Sequence, residues 1–449
     1  MTKIAIIGAG SAVFAQQMIT DVLAIQGLDS GEFALIDLDQ GRLALGHELT
    51  ELTVKRSGKA FTVTSSTDRR TLLPGTDFVI NTIEVSGLRN VQHDYDIPMK
   101  YGVDQCIGDT TGPGGVMKFL RTAPSWLAIL HDLEELAPNA VVMNYTNPMS
   151  ALVLLSSRGS KLRVYGLCHS VQNTLTEIAG YIGLPASELS YRCAGVNHLS
   201  WFTELTWKGQ DVLPRLRAAM ERPEIYEQDI IRFEMLRHFG AFPTESSGHF
   251  SEYVAYFRKR PDLVAKYTRP EYKGESGFYA HNWPRWREEH QAQVQDLIAR
   301  EKAGEQAIDM NRSPEFASTI IESMVLNRPQ EITINLPNLG AGGALMIENL
   351  PGDGVIEVGC TVDGGGIVPR PYGRLPEALA AIDRSHMAIH SLLADSVLNK
   401  DREQAVQALI LDPLTAAVCS LDEVRAMFAE LIQAEGADLP AYLQEPVTA

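Results

Sequence analysis

The sequence predicts an α/β protein that begins with a doubly wound parallel sheet and continues with an α+β part. Three observations predict it: an apolar strand runs into a glycine turn at the start of the chain, short apolar strands then alternate with helical segments, and this alternation ends near residue 187. Strands that alternate with helices pair in parallel through right-handed crossovers. We therefore expect one domain over residues 1–186 and a second over residues 187–449.

Composition and charge exclude several classes of protein. The chain has 449 residues, of which 45% are hydrophobic, so it is long enough to bury a large core. Its 56 acidic and 39 basic side chains give a net charge of −17, which favours a small-molecule ligand over nucleic acid or an anionic membrane. The apolar stretch at the start is too short for a signal peptide. Five widely spaced cysteines are not a disulfide framework, so we expect a cytoplasmic protein.

The first element is a strand, a glycine turn and a helix over residues 3–24. Gly8 and Gly10 end the strand, although Val13 stands where a strict G-x-G-x-x-G pattern has its third glycine. The next predicted strand ends on Asp37. A carboxylate there accepts hydrogen bonds from a ribose and disfavours a 2′-phosphate. The combination predicts a Rossmann-like dinucleotide site that prefers NAD to NADP.

Polar side chains follow the later strands of the predicted sheet. The glycine-rich loop at residues 109–115 has free backbone N–H groups for an anionic or hydroxylated ligand, but taken alone it is better interpreted as a plain connection. In NYTNP at residues 144–148, Asn147 precedes a proline and is pushed into an extended conformation, which projects its amide towards the crevice. An Asx turn explains the same residues equally well.

Three side chains in the middle of the chain have ordinary explanations. Cys168 and His169 follow an apolar strand, where ligands bind in open α/β sheets. An isolated cysteine, however, is most often a buried small hydrophobic residue. His198 is too far from Cys168 to form a local metal motif, and a thiolate is an unexpected ligand for metals that suit sugar hydroxyls.

The second part of the chain mixes antiparallel strands with helices. A helix is predicted over residues 244–257, with His249, Tyr253 and Tyr256 on one face, and an amphipathic interface helix is its simplest interpretation. Two tryptophans within residues 281–290 suit packing on a sugar ring or on the protein surface. Antiparallel strands are predicted over residues 188–210, 331–338 and 354–367, and long helices over 314–327 and 376–436.

Five short motifs follow one another along the chain. They are GAGS at residues 8–11, GPGG at 112–115, NYTNP at 144–148, CHSV at 168–171 and GVNH at 195–198. In order and spacing the sequence resembles glycoside hydrolase family 4 over essentially its whole length. CHSV resembles the α-galactosidase branch, the melibiases. Members that act on phosphorylated sugars carry an aspartate or asparagine in place of His169, so a phosphorylated substrate is not expected.

The resemblance implies an NAD- and Mn2+-dependent hydrolysis of α-galactosides of the melibiose type. In that scheme NAD+ takes a hydride from C3 of the sugar, and a base then removes the acidified C2 proton. The C1 leaving group is eliminated, water adds to the unsaturated intermediate, and the hydride returns, so the cofactor ends as it began. The fold expected with this activity is a Rossmann-like NAD-binding domain followed by a substrate, metal and oligomerisation domain similar to the C-terminal domains of lactate and malate dehydrogenases.

The resemblance also implies roles for individual residues. Gly8, Gly10 and Ser11 would meet the pyrophosphate, Asp37 the adenosine ribose, Asn147 the substrate, and Cys168 and His198 the Mn2+ ion. His169 is the candidate proton donor to the leaving group, and the C2 base is either His249 or Tyr253. A homodimer or homotetramer is expected.

Several alternatives stay open at this point. Within the family, the chain could be an α-glucosidase or a hexuronidase for α-galacturonides or α-glucuronides, in which case Arg89, Arg285 or Arg287 would meet the carboxylate at C6. Outside the family, the first domain fits a plain NAD-dependent dehydrogenase of 2-hydroxy acids or sugar alcohols. A non-catalytic NAD-responsive binding protein is disfavoured, because it gives CHSV and GVNH no purpose.

Overall fold

The computed structural model describes residues 1–444, and its first half is a parallel sheet with helices on both faces. The strands are β1 Thr2–Ile7, β2 Ser30–Ile36, β3 Ala60–Ser66, β4 Phe78–Asn81, β5 Val141–Asn144 and β6 Val164–Gly166. Their order across the sheet is β6-β5-β4-β1-β2-β3, so the direction of winding reverses between β1 and β4. Ligands of such sheets bind outside the carboxyl ends of the strands at this reversal.

Five helices connect these strands, and a sixth follows β6. They are α1 Ala12–Leu23, α2 Gln40–Ser57, α3 Gly87–Lys100, α4 Gly112–Leu136, α5 Met149–Gly159 and α6 Ser170–Ile182. Alternate residues of β1 enter different cores: Ile4 and Ile6 pack on one face of the sheet, and Ala5 and Ile7 on the other. A strand that is buried on both faces needs apolar residues at every position, which is why the first strand reads as an unbroken apolar run.

The second half of the chain continues the same sheet with antiparallel strands. They are β7 Leu189–Val196, β8 Leu199–Trp207, β9 Gln210–Asp211, β10 Phe242–Pro243, β11 Gln330–Pro337, β12 Val355–Asp363 and β13 Gly366–Pro369. Strand β11 lies beside β6, with Asn335 opposite Gly166, and β12, β7, β8 and β10 follow outwards. The predicted fold class, a Rossmann-like parallel sheet followed by an α+β part, is confirmed.

Eleven further helices of residues 1–444 cover this half. They are α7 Leu213–Ala219, α8 Pro223–Tyr226, α9 Ile230–Phe239, α10 Ser247–Phe250, α11 Pro261–Tyr267, α12 Phe278–Ala303, α13 Phe316–Leu326, α14 Glu377–Asn399, α15 Arg402–Leu411, α16 Pro413–Val418 and α17 Leu421–Glu435. Within the described residues no helix combines the length and the apolar character that a membrane crossing requires.

The helix predicted over residues 244–257 is wrong. Only the single turn α10 forms, and turns follow it. The Glu252 carboxylate accepts hydrogen bonds from the backbone N–H groups of Cys106, Ile107 and Gly108, at 2.7, 3.2 and 2.8 Å. These tertiary hydrogen bonds hold the segment against the loop before α4, and Tyr256 is left largely exposed while His249 is buried. Contacts with a distant loop therefore override the local helical pattern.

Candidate active site

A cavity of about 440 Å³ opens at the carboxyl ends of the parallel strands. It brings together residues that the sequence places far apart, namely Ser11, Asn147, Cys168, His169, His198 and His249. All six were candidate site residues. Gly10 lines a smaller adjoining cavity together with Ser11, and Asp37 lies directly behind that glycine.

The glycine turn after β1 packs too tightly to hold side chains. Gly8 has a φ of +93°, and a Cβ there would lie 2.7 Å from the carbonyl carbon of Thr82. A Cβ on Gly10 would lie 2.7 Å from a carboxylate oxygen of Asp37, which instead accepts a hydrogen bond from the Gly10 N–H at 2.8 Å. Ser11 is the N-cap of α1 and lines the cavity, so the helix begins at the cavity wall. The glycines therefore allow the turn to pack against Thr82 and Asp37, and a helix N-terminus at the cavity wall attracts an anionic ligand.

Cys168 and His198 meet although thirty residues separate them. The Cys168 Sγ lies 3.4 Å from the His198 Nε2, because Cys168 follows β6 while His198 lies in the tight turn between β7 and β8. His198 has a φ of +66°, a left-handed conformation that costs an L-residue about 1–2 kcal/mol. Such strain is concentrated at functional sites.

Both members of this pair are uncharged in the protein alone. Burial raises the pKa of the Cys168 thiol to about 11, and burial lowers the pKa of His198. The Tyr253 hydroxyl lies 2.9 Å from the His198 Nδ1, which leaves the Nε2 atom facing Cys168. A soft thiol and an imidazole arranged in this way can hold a divalent cation once the thiol has lost its proton.

Two carboxylates that the sequence analysis had not proposed complete this corner of the cavity. Glu245 lies 3.3 Å from the His198 Nε2 and 3.7 Å from the His249 Nδ1, and Asp109 lies 3.4 Å from the His249 Nε2. Donor atoms of His198, Glu245 and His249 all lie within 4.8 Å of one another, close enough to share one metal ion. Burial opposes a charge on His249, but Asp109 and Glu245 raise its pKa well above the usual value.

The two missed acids carried some signal in the sequence. Asp109 opens the glycine-rich loop that was interpreted as a plain connection, and Glu245 lies inside the segment that was interpreted as an interface helix. Neither interpretation holds, because the loop and the segment contact each other at the cavity wall, where Asp109 lies 3.4 Å from His249.

Tyr253 lies behind the two histidines. Its side chain is 2% exposed, and its hydroxyl is 3.4 Å from the His249 Nε2 as well as 2.9 Å from His198. Burial raises the pKa of this phenol well above its usual value. His249, by contrast, forms part of the cavity wall. Of the two candidate bases, His249 is therefore the one whose side chain lines the cavity.

His169 directly follows Cys168 in the chain, and its side chain is about half exposed. Its Nδ1 is 2.9 Å from a carboxylate oxygen of Glu315, a buried residue just before α13 that the sequence analysis missed. This hydrogen bond is the main reason why the pKa of His169 rises to about 9. At neutral pH the imidazole is protonated and can act as an acid.

Asn147 faces the cavity next to a buried charged group. Its Nδ2 donates to the Asp109 carboxylate at 3.4 Å. The Lys118 ammonium lies between Glu84 and Asp109, at 2.9 and 3.5 Å, and is itself buried. The lysine is therefore neutralised by carboxylates on two sides, and the wall of the cavity stays rich in hydrogen-bond acceptors.

The three arginines proposed for a uronate differ in their surroundings. Arg89 is 71% exposed and pairs with Asp438, and the exposed Arg285 pairs with Glu289 at 3.3 Å. Arg287 is half-buried and is the one of the three that lines the main cavity.

Known proteins match almost the whole length of the chain. The family model described as "Family 4 glycosyl hydrolase" matches residues 3–184, and "Family 4 glycosyl hydrolase C-terminal domain" matches residues 193–415. An "Alpha-galactosidase" of Bacillus subtilis is 35% identical over 448 residues, covering 98% of this chain and 100% of the relative. An "Alpha-galactosidase" of Rhizobium meliloti is 36% identical over 445 residues, covering 98% and 89%. An "Alpha-galacturonidase" of Lachnoclostridium phytofermentans is 27% identical over 466 residues, covering 98% and 97%.

Solved structures share the fold at lower identity. A 6-phospho-alpha-glucosidase from gut microorganisms, in complex with NAD and Mn2+, has a TM-score of 0.79 at 20% identity and covers 98% of this chain and 99% of its own. A 6-phospho-beta glucosidase from Thermotoga maritima, with manganese, NAD+ and glucose-6-phosphate, has a TM-score of 0.77 at 20% identity with the same coverage. The family models and the near-full-length relatives confirm the resemblance on which the sequence analysis relied: the chain belongs to glycoside hydrolase family 4.

Proposed function

We propose that this chain is an NAD- and Mn2+-dependent glycosidase that hydrolyses α-galactosides. One observation carries the proposal: a single cavity joins Ser11 of the glycine turn to the Cys168–His198 pair and to His249 with its two carboxylates. A glycosidase that relied on two carboxylates alone would have no use for a dinucleotide turn on the same cavity. The arrangement fits a hydrolase in which hydride and proton transfers occur on one bound sugar.

The residues present fit both proposed ligands. The packing of Gly8 and Gly10 and the position of Asp37 suit a dinucleotide, and the Cys168 and Glu245 side chains, each within 3.4 Å of the His198 Nε2, suit a divalent cation. Relatives of the same fold have been solved with NAD and Mn2+. When bound, NAD+ would accept and return the hydride at C3 of the sugar while Mn2+ stabilised negative charge on the C2 and C3 oxygens.

His169 is our candidate for the acid that protonates the leaving group. It lines the cavity, and Glu315 holds one ring nitrogen at 2.9 Å, which leaves the other nitrogen to carry a proton towards the substrate. Asn147, on the neighbouring strand end, would bind a sugar hydroxyl through its amide.

His249 is our candidate for the base that removes the C2 proton. It lines the cavity, and the carboxylates that raise its pKa make the neutral imidazole a stronger base. A divalent cation bound at Glu245 would oppose the effect of those carboxylates on the pKa of His249. It would therefore favour the neutral form of the imidazole. Tyr253 instead orients His198, since its hydroxyl engages the Nδ1 atom of that ring.

A neutral galactoside is favoured over a uronide by the charges around the cavity. Glu84, Asp109 and Glu245 all line it, and they would repel a substrate carboxylate. Lys118 is neutralised by Glu84 and Asp109, Arg89 and Arg285 are engaged at the surface, and Arg287 lines the cavity where it adjoins the glycine turn. The α-galactosidase relatives are also more similar to this chain, at 35% and 36% identity, than the α-galacturonidase relative at 27%.

A panel of nitrophenyl α- and β-glycosides tests the proposal, with NAD+, Mn2+ and a thiol reductant each withheld in turn. We expect cleavage of the α-galactoside when all three are present, loss of cleavage when any is withheld, and no net change in NADH absorbance. Cleavage that is indifferent to NAD+ would overturn the mechanism. NADH that accumulates in step with product would indicate a plain dehydrogenase, and preference for the α-galacturonide would overturn the substrate.

A further inference from the structure

Arg287 lies on α12 at the point where two cavities meet. It lines the main cavity and also the smaller one, of about 50 Å³, whose other walls include Gly10, Ser11 and Arg42. The smaller cavity is thus bounded by the glycine turn on one side and by α12 on the other. Arg287 brings a cation from the second half of the chain onto this turn.

Among residues 1–444, Arg287 has no carboxylate oxygen within 4.0 Å, in contrast to its neighbours. Arg285 on the same helix pairs with Glu289, and Arg42 pairs with Asp39 at 3.4 Å. Burial and repulsion by Arg42 lower the pKa of Arg287. The Arg287 guanidinium lies over the Trp283 ring at 5.7 Å, but a half-buried guanidinium without a carboxylate partner is costly unless an anion compensates its charge.

Two carboxylates near Arg287 show which part of the crevice it occupies. Asp37, at the end of β2, and Glu84, after β4, both attract the guanidinium from a distance without forming an ion pair with it. Asp37 is on the proposed ribose side of the crevice, and Glu84 lines the sugar cavity. In a Rossmann-type sheet the pyrophosphate of a dinucleotide lies between these two regions, at the N-terminus of the first helix.

We infer that Arg287 binds the pyrophosphate of the dinucleotide from the side opposite the glycine turn, so that α12 holds the cofactor in place. The inference rests on the proposed function, because it takes NAD+ as the ligand of the turn. A guanidinium suits the role, since its planar set of N–H donors matches two phosphate oxygens at once. Tyr279 and Trp283, in earlier turns of α12, line the main cavity, so this one helix would contact both the cofactor and the sugar.

Calorimetric titration of the full-length protein with NAD+, ADP and adenosine tests this role. We expect Arg287→Ala to raise the Kd for NAD+ and for ADP about 10- to 100-fold, as for other charge-assisted hydrogen bonds. Adenosine has no phosphate and should bind as before. Arg287→Lys keeps the charge but loses the planar donor set, so its Kd should be intermediate. Arg285→Ala, the matched control on the exposed face of the same helix, should leave all three values unchanged.

The contrary outcomes are distinct. The inference is overturned if Arg287→Ala leaves NAD+ and ADP binding unchanged. It is also overturned if adenosine binding is lost to the same extent. A raised KM for the glycoside alone would assign Arg287 to the sugar. If Arg287→Ala fails to fold, as judged by circular dichroism, the Arg287→Lys values decide. Failure of the unsubstituted protein to bind NAD+ overturns the proposed function as well, whereas NAD+ binding shared equally by all variants overturns this inference alone.

Discussion

At the scale of single residues, the cavity is organised by close contacts between titratable groups from distant parts of the chain. His249 lies between Asp109 and Glu245, His169 is held by Glu315, and the thiol of Cys168 is buried against His198. Glu315 keeps His169 in the protonated form that the proposed acid needs, whereas Cys168 and His249 must each lose a proton before they can act as a metal ligand and as a base. The role of each residue is therefore best tested by changing one partner at a time.

The choice between the two candidate bases can be tested by isotope exchange. We expect His249→Asn to lower turnover about a hundredfold to ten-thousandfold and to abolish exchange of the C2 proton with solvent deuterium, because a base in the cavity would be lost. Tyr253→Phe should retain the exchange and weaken Mn2+ binding, because it removes the hydroxyl that orients His198. Exchange is measured by NMR of the recovered sugar. The reverse pattern would assign the base to Tyr253.

The contact between Glu315 and His169 predicts a change in pH dependence. The carboxylate raises the pKa of His169 to about 9, so the acid stays protonated and active up to that pH and is lost above it. Glu315→Gln removes the charge, lowers the pKa, and should move the alkaline limb of the kcat/KM profile to lower pH while activity at acidic pH is retained. Glu322→Gln, on α13 but paired with Arg312 and Arg328, is the matched control. An unchanged alkaline limb would argue against His169 as the acid.

At the scale of secondary structure, the loop before α4 is positioned by close packing of the backbone. A Cβ on Gly115 would lie 2.4 Å from the carbonyl carbon of Thr110, and one on Gly114 would lie 2.2 Å from the Gly108 oxygen. Together with the hydrogen bonds from this loop to Glu252, these contacts leave Asp109 facing His249. Two glycines inside a helix are unfavourable for the helix itself, and here they are explained by the loop packed against it.

Substitution of one glycine tests this packing. We expect Gly115→Ala to lower the free energy of unfolding by about 1–3 kcal/mol and to reduce turnover, because the loop that carries Asp109 must shift. Gly180→Ala is the matched control: it is also a helical glycine, in α6, but a Cβ there meets nothing within 4 Å. That change should leave activity unaltered and raise stability by about 0.4–1 kcal/mol. Thermal unfolding and steady-state kinetics measure both effects, and equal behaviour of the two variants would contradict the packing argument.

At the scale of the whole molecule, the site depends on one sheet that both halves of the chain build. The parallel strands bring Ser11, Asn147 and Cys168 to one edge, and the antiparallel strands attach beside β6 through β11. This extension brings the turn that carries His198 back to Cys168. Two further segments complete the cavity wall at the point where the strand order reverses. One carries Glu245 and His249, and the other is the helix that carries Arg287.

The sequence by itself determined the features that depend on short segments. The glycine turn, the acid at the end of β2 and the alternation of strands and helices follow from local periodicity and from the small size of glycine, so the fold class and the cofactor turn could be predicted. The family resemblance added Cys168, His169 and His198, whose spacing alone carried little weight.

Only the tertiary structure decided which of these residues act together. Glu245, Asp109 and Glu315 could not be assigned a role from their own segments, and they matter because folding places them within 4 Å of a histidine. The structure also decided the position of Tyr253, which packs behind the histidines, and of Arg287, which faces the glycine turn. Local patterns reflect interactions between near neighbours in the chain, whereas the protonation of a buried group depends on charges that only long-range contacts bring close.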